Sequence, residues 1–309
     1  METSEPSNHP LVLFNPTANR GNMAAHRAVM QSRLAQEQVE YVETSVAGEA
    51  RERAMQAASA GRAIIVVGGD GTVNEVVNGI LTAAAAAERR VPLGIVPAGS
   101  GNDFACNTLG LSRDPLVALE RALHGDIIEI DVGTVNGLYF VNSFSVGLDA
   151  DIAATANRLK KIPFMSGARL YYGSSLSRLL FGYHRCPWLT FHLDGADVYK
   201  QTEPHHYVLL AVTNGPAYGA GFRINPAANP SDGLLDVCAI SYAPLLRALK
   251  LLPVVQRGEH GEEPEVAFYR AKTVYIESRR PVMMGVDGET SSASRFDVQL
   301  LPGALSVRI

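Results

Sequence analysis

Two glycine-rich turns and a late acidic turn hold the residues of this 309-residue chain best suited to chemistry. The segment Val66-Val67-Gly68-Gly69-Asp70-Gly71-Thr72-Val73-Asn74-Glu75 runs from an apolar strand through glycines into a helix. Thr72 and Glu75 have the S/T-x-x-E spacing of a capping box, and Val73, Val76, Val77, Ile80 and Leu81 share one helical face. A helix packed on that face points its N-terminus outward. Its free N–H groups and the positive end of its dipole can then meet a phosphate with almost no side-chain bulk between them. Asp70 would stand against that phosphate, which implies Mg2+ or a proton-transfer role. The alternative is a tight strand-to-helix turn with Asp70 as a capping acid. Gly99-Ser100-Gly101-Asn102-Asp103-Phe104 follows the next strand in the same manner. Ser100 can bond phosphate oxygens there, and Asn102 and Asp103 can fix the turn or hold a metal. Two such turns at the carboxyl edge of one sheet can enclose a nucleotide. Neither fits the GxxxxGK[ST] loop or the GxGxxG fingerprint. Asp287-Gly288-Glu289 reads equally as a solvated hairpin or as carboxylates placed near an attacking hydroxyl, and Asp232-Gly233 alone reads as a turn.

The elements that must position these residues fall into two patterns. Leu11 to Phe14, a helix from about Met23 to Gln38, Ala63 to Val67, a helix from Thr72, and Leu93 to Val96 alternate as βαβ units around a parallel sheet. Asp114-Pro115, then Leu116, Leu119 and Leu123 closed by Gly125, predicts one more helix with cap and stop residues in place. From Asp126 onward short strands dominate. Ile128, Ile130 and Val132 alternate up to Asn136-Gly137, and Tyr139 and Val141 resume the alternation, which predicts a hairpin. Leu189, Phe191 and Leu193 run into Asp194-Gly195 in the same way. Tyr207 to Val212, Leu234 to Ile240, Thr273 to Glu277 and Val282 to Val286 extend an all-β second domain. Helical stretches over Gly167 to Leu180 and Pro244 to Val255 interrupt it. The first is rich in aromatic and basic residues and reads as a sheet-packed helix or as one that rests on a bilayer.

Composition narrows the function classes. A hydrophobic content of 47% supports a large core and excludes a disordered chain. A net charge of -4 gives no global positive field for nucleic acid or an anionic bilayer, so any membrane contact must be local. Lysine occurs only at Lys160, Lys161, Lys200, Lys250 and Lys272, which leaves the glycine turns no lysine clamp from the N-terminal half. Cys106, Cys186 and Cys238 form no CxxC pair and fit a reducing cytoplasm. Met1 to Pro10 is unlike a signal peptide, and no apolar run approaches the roughly 20 residues needed to span a bilayer. The histidines, His205-His206 included, show no metal-ligand spacing.

Gly69-Asp70-Gly71-Thr72 with Asn74-Glu75, followed by Gly99-Ser100-Gly101-Asn102-Asp103-Phe104, resembles the diacylglycerol kinase catalytic domain family, which includes bacterial lipid kinases and sphingosine and ceramide kinases. The likeness runs from Asn15-Pro16 to Asp287-Gly288-Glu289. It implies an α/β nucleotide-binding domain over residues 1–131 and a β-sandwich lipid-binding domain over 132–299, with residues 300–309 returning to the first. It further implies ATP as phosphate donor, Mg2+, and a lipid hydroxyl as acceptor, with diacylglycerol leading. The ATP contacts carried over are Asn15, Pro16, Thr17, Ala18, Asn19, Thr44, Gly68, Gly69, Asp70, Gly71, Thr72, Val73, Asn74, Glu75, Gly99, Ser100, Gly101, Asn102 and Asp103. Asp70, Asp287 and Glu289 form the implied catalytic set, with Glu289 the first choice to accept the lipid proton. Asp232, with carbonyls near Asn229 and Leu234, matches a structural Mg2+ site. Ala18 and Asn19 stand where the family usually has serine and glycine. Cys106 stands where many members have arginine, so an ionic contact is expected to be missing. The resemblance also implies a cytoplasmic protein in transient contact with the inner membrane face, and leaves a homodimer open. An NAD kinase shares the Gly-Gly-Asp-Gly-Thr turn and is the nearest rival; a non-catalytic nucleotide or lipid sensor is the rival from another class.

Overall fold

A computed structural model describes residues 9–18, 26–87, 90–159, 173–174, 176–178, 182–196 and 199–309. The chain divides into two units, Met1–Ile130 with Gly303–Ile309, and Asp131–Pro302.

In the first unit β1 (Leu11–Phe14), β2 (Glu40–Glu43), β3 (Ile64–Gly68) and β4 (Leu93–Pro97) pair in parallel in the order β2-β1-β3-β4. Val307, near the chain end, pairs in parallel with Leu93. β1, β3 and β4 are apolar runs buried along their whole length, as a parallel sheet covered on both faces requires. The helices are α1 (Arg27–Leu34), α2 (Glu49–Ser59), α3 (Asp70–Ala87) and α4 (Pro115–His124). α1 ends four residues before the expected Gln38. α2 escaped the periodicity reading because its buried face is Ala50, Ala54, Ala57 and Ala58, too small to register as an apolar stripe. Those alanines let α2 approach α3 so closely that a Cβ on Gly79 would lie 2.4 Å from the Arg51 carbonyl oxygen. α4 has the predicted cap, with the Asp114 carboxylate accepting from the Leu116 and Val117 amides at 2.9 and 3.1 Å.

The second unit is a β-sandwich. β5 (Ile127–Val135) leads to β6 (Leu138–Phe140), β7 (Ser143–Gly147), α5 (Leu148–Leu159), β8 (Trp188–Leu193), β9 (Tyr199–Lys200), β10 (His205–Thr213), β11 (Leu235–Ser241), α6 (Leu245–Arg257), β12 (Val266–Ala271), β13 (Thr273–Val286) and β14 (Glu289–Arg308). The main path is β12-β11-β10-β7-β13-β14, and β8 pairs with β9, β10 and β13. Its core gathers Phe140, Phe144, Phe191, Phe296, Val212 and Val237. Asn136 and Gly137 have φ of 50° and 82°, the two-residue turn their sequence predicts. Asp194-Gly195 does not repeat it. Leu193 pairs instead with Tyr199, and the Asp194 carboxylate accepts from the Lys272 and Thr273 amides at 2.8 Å each, which fixes a longer connection. The two strands expected over residues 273–277 and 282–286 are one strand, β13, with a register shift between Glu277 and Val282. α6 answers the stretch expected over Pro244 to Val255, and α5 was not anticipated. The stretch expected over Gly167 to Leu180 lies mostly outside the described residues. Among the described residues no helix is long and apolar enough to cross a membrane.

Candidate functional site

β3 ends at Gly68 and α3 begins at Asp70, so the first glycine turn is a single step from strand to helix. The first intrahelical bond is donated by Val73 to the Gly69 carbonyl at 3.0 Å, leaving the amides of Asp70, Gly71 and Thr72 ahead of the ladder. The second turn leans directly on it. The Ala98 amide donates to the Gly68 carbonyl at 2.8 Å. A Cβ on Gly99 would lie 2.7 Å from the Gly69 Cα, and one on Gly69 would lie 3.0 Å from the Gly99 Cα. Only glycines permit that approach of backbone to backbone. Asn102, at φ 59°, closes its own loop by accepting from the Gly99 amide at 2.7 Å and donating to the Gly99 carbonyl at 2.9 Å.

Asp70 clasps the two turns together. Its carboxylate accepts the Asn102 amide at 2.8 Å, and a Cβ on Gly101 would press on Oδ2 at 2.9 Å. Burial pushes its carboxyl above the usual range, against the pull of the amides of Asn102, Phe104, Asp70 itself and Asp103. In the structure this carboxylate has backbone donors of its own. The amides of Asn102, Asp103 and Phe104 open a short π-helical turn over Asp103–Thr108. Asp103 is buried and accepts from Asn107 at 2.7 Å, while Ser100 is exposed. A guanidinium does reach this turn despite Cys106, because Arg113 donates to the Gly101 carbonyl at 3.2 Å.

The remaining expected contacts separate into three groups. Asn15 joins the first loop to α3, donating to the Thr72 hydroxyl at 2.8 Å and accepting from the Thr17 amide and hydroxyl at 2.9 and 2.7 Å. Pro16, Thr17 and Ala18 complete that turn, with Ala18 buried in the core, and Asn19 lies outside the described residues. Thr44 is buried beside β1, its amide donating to the Phe14 carbonyl at 2.9 Å. Val73 offers a ligand nothing, since its side chain is buried and its amide is spent on Gly69. Nor do Thr72 and Glu75 form a capping box. The helix starts three residues earlier than that box requires, and Glu75 instead accepts from the Gly48 amide at 3.0 Å, at the start of α2. Asn74 lies behind it, its carbonyl accepting from Asn78 at 2.9 Å.

In the second unit Asp287 and Gly288, at φ 45° and 90°, form the two-residue turn between β13 and β14. The Asp287 carboxylate accepts three amides, from Val141 at 2.8 Å, Asn142 at 3.1 Å and Ser143 at 2.8 Å. It thus holds the β6–β7 connection in place. Asn142 and Asn214, unmarked in the sequence reading, brace the same segment: Asn142 donates to the Ala217 carbonyl at 3.0 Å and Asn214 to the Val141 carbonyl at 3.1 Å. Glu289 opens β14 opposite Val286 and is exposed, with no ion pair or side-chain hydrogen bond among the described residues. Of the acidic pair, Glu289 is the one open to a ligand.

Residues 9–135 match the diacylglycerol kinase catalytic domain, and residues 142–309 match the YegS C-terminal NAD kinase beta sandwich-like domain. A diacylglycerol kinase of Mycobacterium tuberculosis is 33% identical over 96% of this chain and 93% of its own. The chain belongs to the diacylglycerol kinase catalytic domain family. A Chromohalobacter salexigens relative named "Probable lipid kinase YegS-like" is 36% identical over 84% of this chain and 79% of its own. A crystal structure of a Bacillus anthracis protein described as a diacylglycerol kinase shares the fold, with a TM-score of 0.80 over 100% of this chain and 98% of that one at 24% identity.

At the structural Mg2+ site implied by the family resemblance, the Asp232 carboxylate already has protein donors, while Asp236 Oδ2 beside it is buried without a hydrogen-bond partner among the described residues. Asp232 Oδ1 accepts the Leu234 amide at 3.2 Å and Oδ2 is ion-paired with Arg270, whose Nε also lies 3.4 Å from Asp236. Asn229 Oδ1 accepts from the Ser231 amide at 3.1 Å, and Asp131 accepts the Gly233 amide at 2.7 Å. Both Asp232 oxygens thus have donors, and the Arg270 guanidinium supplies positive charge beside them. The register explains why: Arg270 is the direct cross-strand partner of Asp236. Burial pushes the Asp236 carboxyl up to about 6, Arg270 opposing and Asp232 adding to the rise. Among the described residues no group of three acidic, histidine or cysteine side chains could hold a metal.

The second unit also encloses an apolar cavity of about 90 Å³ between α5, β10, β11 and α6. Asp149 is the one carboxylate in its lining. It accepts from the Tyr218 hydroxyl at 2.7 Å and the Ala150 amide at 2.8 Å. Desolvation raises its pKa, against hydrogen bonds from Ser145 and Tyr218. The sequence carried one weak signal for it, an acid two residues after the strand-ending Gly147.

Proposed function

We propose that this protein is an ATP-dependent lipid kinase, and that diacylglycerol going to phosphatidic acid is its leading reaction. The observation that carries the reading is the pair of glycine turns at the carboxyl ends of β3 and β4, pressed backbone to backbone, with the amides of Asp70, Gly71 and Thr72 ahead of the helical ladder. No cofactor chemistry is needed there; phosphates are what such a surface binds. Mg2+ arrives with ATP as part of the substrate and neutralises phosphate charge. In the reaction a lipid hydroxyl oxygen attacks the γ-phosphorus, the bond to the β–γ bridging oxygen breaks, and ADP leaves. Glu289 accepts the hydroxyl proton and Asp287 holds the neighbouring backbone as a positioning residue. Asp70 likewise acts by fixing the second turn rather than by taking a proton. The apolar cavity has room for a short acyl segment.

Radiolabelled ATP offered with NAD, diacylglycerol, phosphatidylglycerol, ceramide and sphingosine in separate reactions tests the reading. Label in diacylglycerol is the expected result. Label in NAD alone, or tight ATP binding with no acceptor used, would overturn it.

A further inference from the structure

An apolar substrate has to leave a bilayer, and one face of the second unit joins exposed aromatic residues to the wall of the apolar cavity. Trp188, the only tryptophan in the chain, is 56% exposed at the start of β8. Its ring stacks on His206 with centroids 5.0 Å apart, His206 stacks on Tyr242 at 4.0 Å, and Tyr242 stacks on Tyr183 at 4.7 Å. Tyr183 lines the cavity and anchors itself by donating to the Ala243 carbonyl at 2.7 Å. The ladder therefore begins in solvent and ends at the cavity.

α6 continues the same face. Ala248, Leu251, Leu252 and Val255 point into the cavity, whereas Leu246 is 76% exposed and Tyr242, just before the helix, is 38% exposed. Single exposed apolar residues are ordinary; an exposed Trp, Tyr and Leu contiguous with an apolar cavity are not. Charge favours the same occupant. α6 carries Arg247, Lys250 and Arg257 and no acid. Arg247 and Arg257 are ion-paired to Glu263, Glu265 and Glu259, and among the described residues Lys250 and Arg185 enter no ion pair.

We propose that Trp188, Tyr242 and Leu246, with Lys250 and Arg185, dock on an anionic lipid surface, the aromatic rings sitting at headgroup depth beside the cavity wall. This surface serves the lipid-kinase reading and rests on it.

Because Trp188 is the sole tryptophan, its emission reports this face alone. The full chain is mixed with vesicles of phosphatidylcholine, with and without phosphatidylglycerol. With the anionic vesicles Trp188 emission shifts to shorter wavelength and brominated acyl chains quench it. Leu246→Asp and Lys250→Glu, exposed positions whose unchanged melting shows an intact fold, weaken co-sedimentation, Leu246→Asp by about tenfold or more. Leu246→Asp also loses turnover on vesicle-borne diacylglycerol while keeping wild-type turnover on a dispersed short-chain diacylglycerol. Co-sedimentation with unchanged Trp188 emission, wild-type binding by Leu246→Asp, or no vesicle binding alongside full activity on the dispersed lipid overturns the surface and leaves the kinase reading standing. Absence of turnover on both acceptors strikes the kinase reading itself.

Discussion

Gly71→Ala distinguishes a turn shaped by its own packing from one shaped by a ligand. At Gly69 and Gly99 an added Cβ meets the backbone of the opposing turn at 3.0 and 2.7 Å, so the fold itself requires glycine at both. At Gly71 the same Cβ meets nothing within 4 Å, and its φ is not left-handed. Since Gly71 lies in the first turn of α3, alanine should suit the fold better, by about 0.5–1 kcal/mol. At roughly 2–4 °C per kcal/mol for a domain of this size class, the melting temperature should rise by about 1–4 °C. A phosphate resting on the Gly71 and Thr72 amides would occupy the space the methyl group takes. Displacing one charge-assisted hydrogen bond costs about 1.5–3 kcal/mol, or roughly 10- to 150-fold in ATP affinity. Thermal melting and calorimetric titration with ATP measure the two effects on one sample. A rise in melting temperature with unchanged ATP affinity would refute phosphate binding at this helix start. Gly99→Ala is the control: overpacking against Gly69 and Asn102 should lower stability by about 1–3 kcal/mol.

Glu289→Gln should leave melting unchanged and cut turnover by about 10²–10⁴-fold, whereas Asp287→Ala strands three amides and should cost about 2–4 kcal/mol in denaturant unfolding. Full turnover by Glu289→Gln would remove it as the base. Asp149 has a raised pKa, so its contribution to stability is fullest below its unfolded pKa and is lost as pH rises through the folded value. Asp149→Asn should therefore gain stability relative to the wild type as pH rises from below the ordinary carboxylate range to pH 8; a difference that stays constant from pH 3 to pH 8 would contradict the shift. If Arg270 serves as the cation for Asp232 and Asp236, wild-type melting should be indifferent to Mg2+ and EDTA, and Arg270→Ala should melt lower and recover in part with Mg2+. A wild type that loses stability in EDTA refutes that role.

The parts legible in the sequence are those fixed by near neighbours. Fully apolar β1, β3 and β4, the Asn136-Gly137 hairpin and the Asp114-Pro115 helix start each follow from a few adjacent residues, and each is present. The two glycine turns were visible for the same reason. That they touch was not visible, because the Gly69–Gly99 approach depends on how β3 and β4 lie side by side. α2 was missed because close helix packing there uses alanines, and Thr72 and Glu75 misled because their spacing is equally compatible with a helix that begins at Asp70.

Carboxylates were the least legible, for a physical reason. A sequence counts acids but does not say where their lone pairs point, and in this chain distant backbone decides it. Asp70 faces an amide 32 residues on, and Asp287 faces amides about 145 residues back. Asp232, read from the family resemblance as a metal ligand, meets a guanidinium set by the β11–β12 register. An acid in a motif is the readier candidate for base or ligand when the fold leaves its lone pairs without donors. Applied to the six motif acids named at the outset, that criterion favours Glu289, the one whose carboxylate takes no hydrogen bond among the described residues. It also accounts for acids that take no proton: removing one would loosen a turn or strand backbone amides, and the loss would appear in melting before it appeared in chemistry.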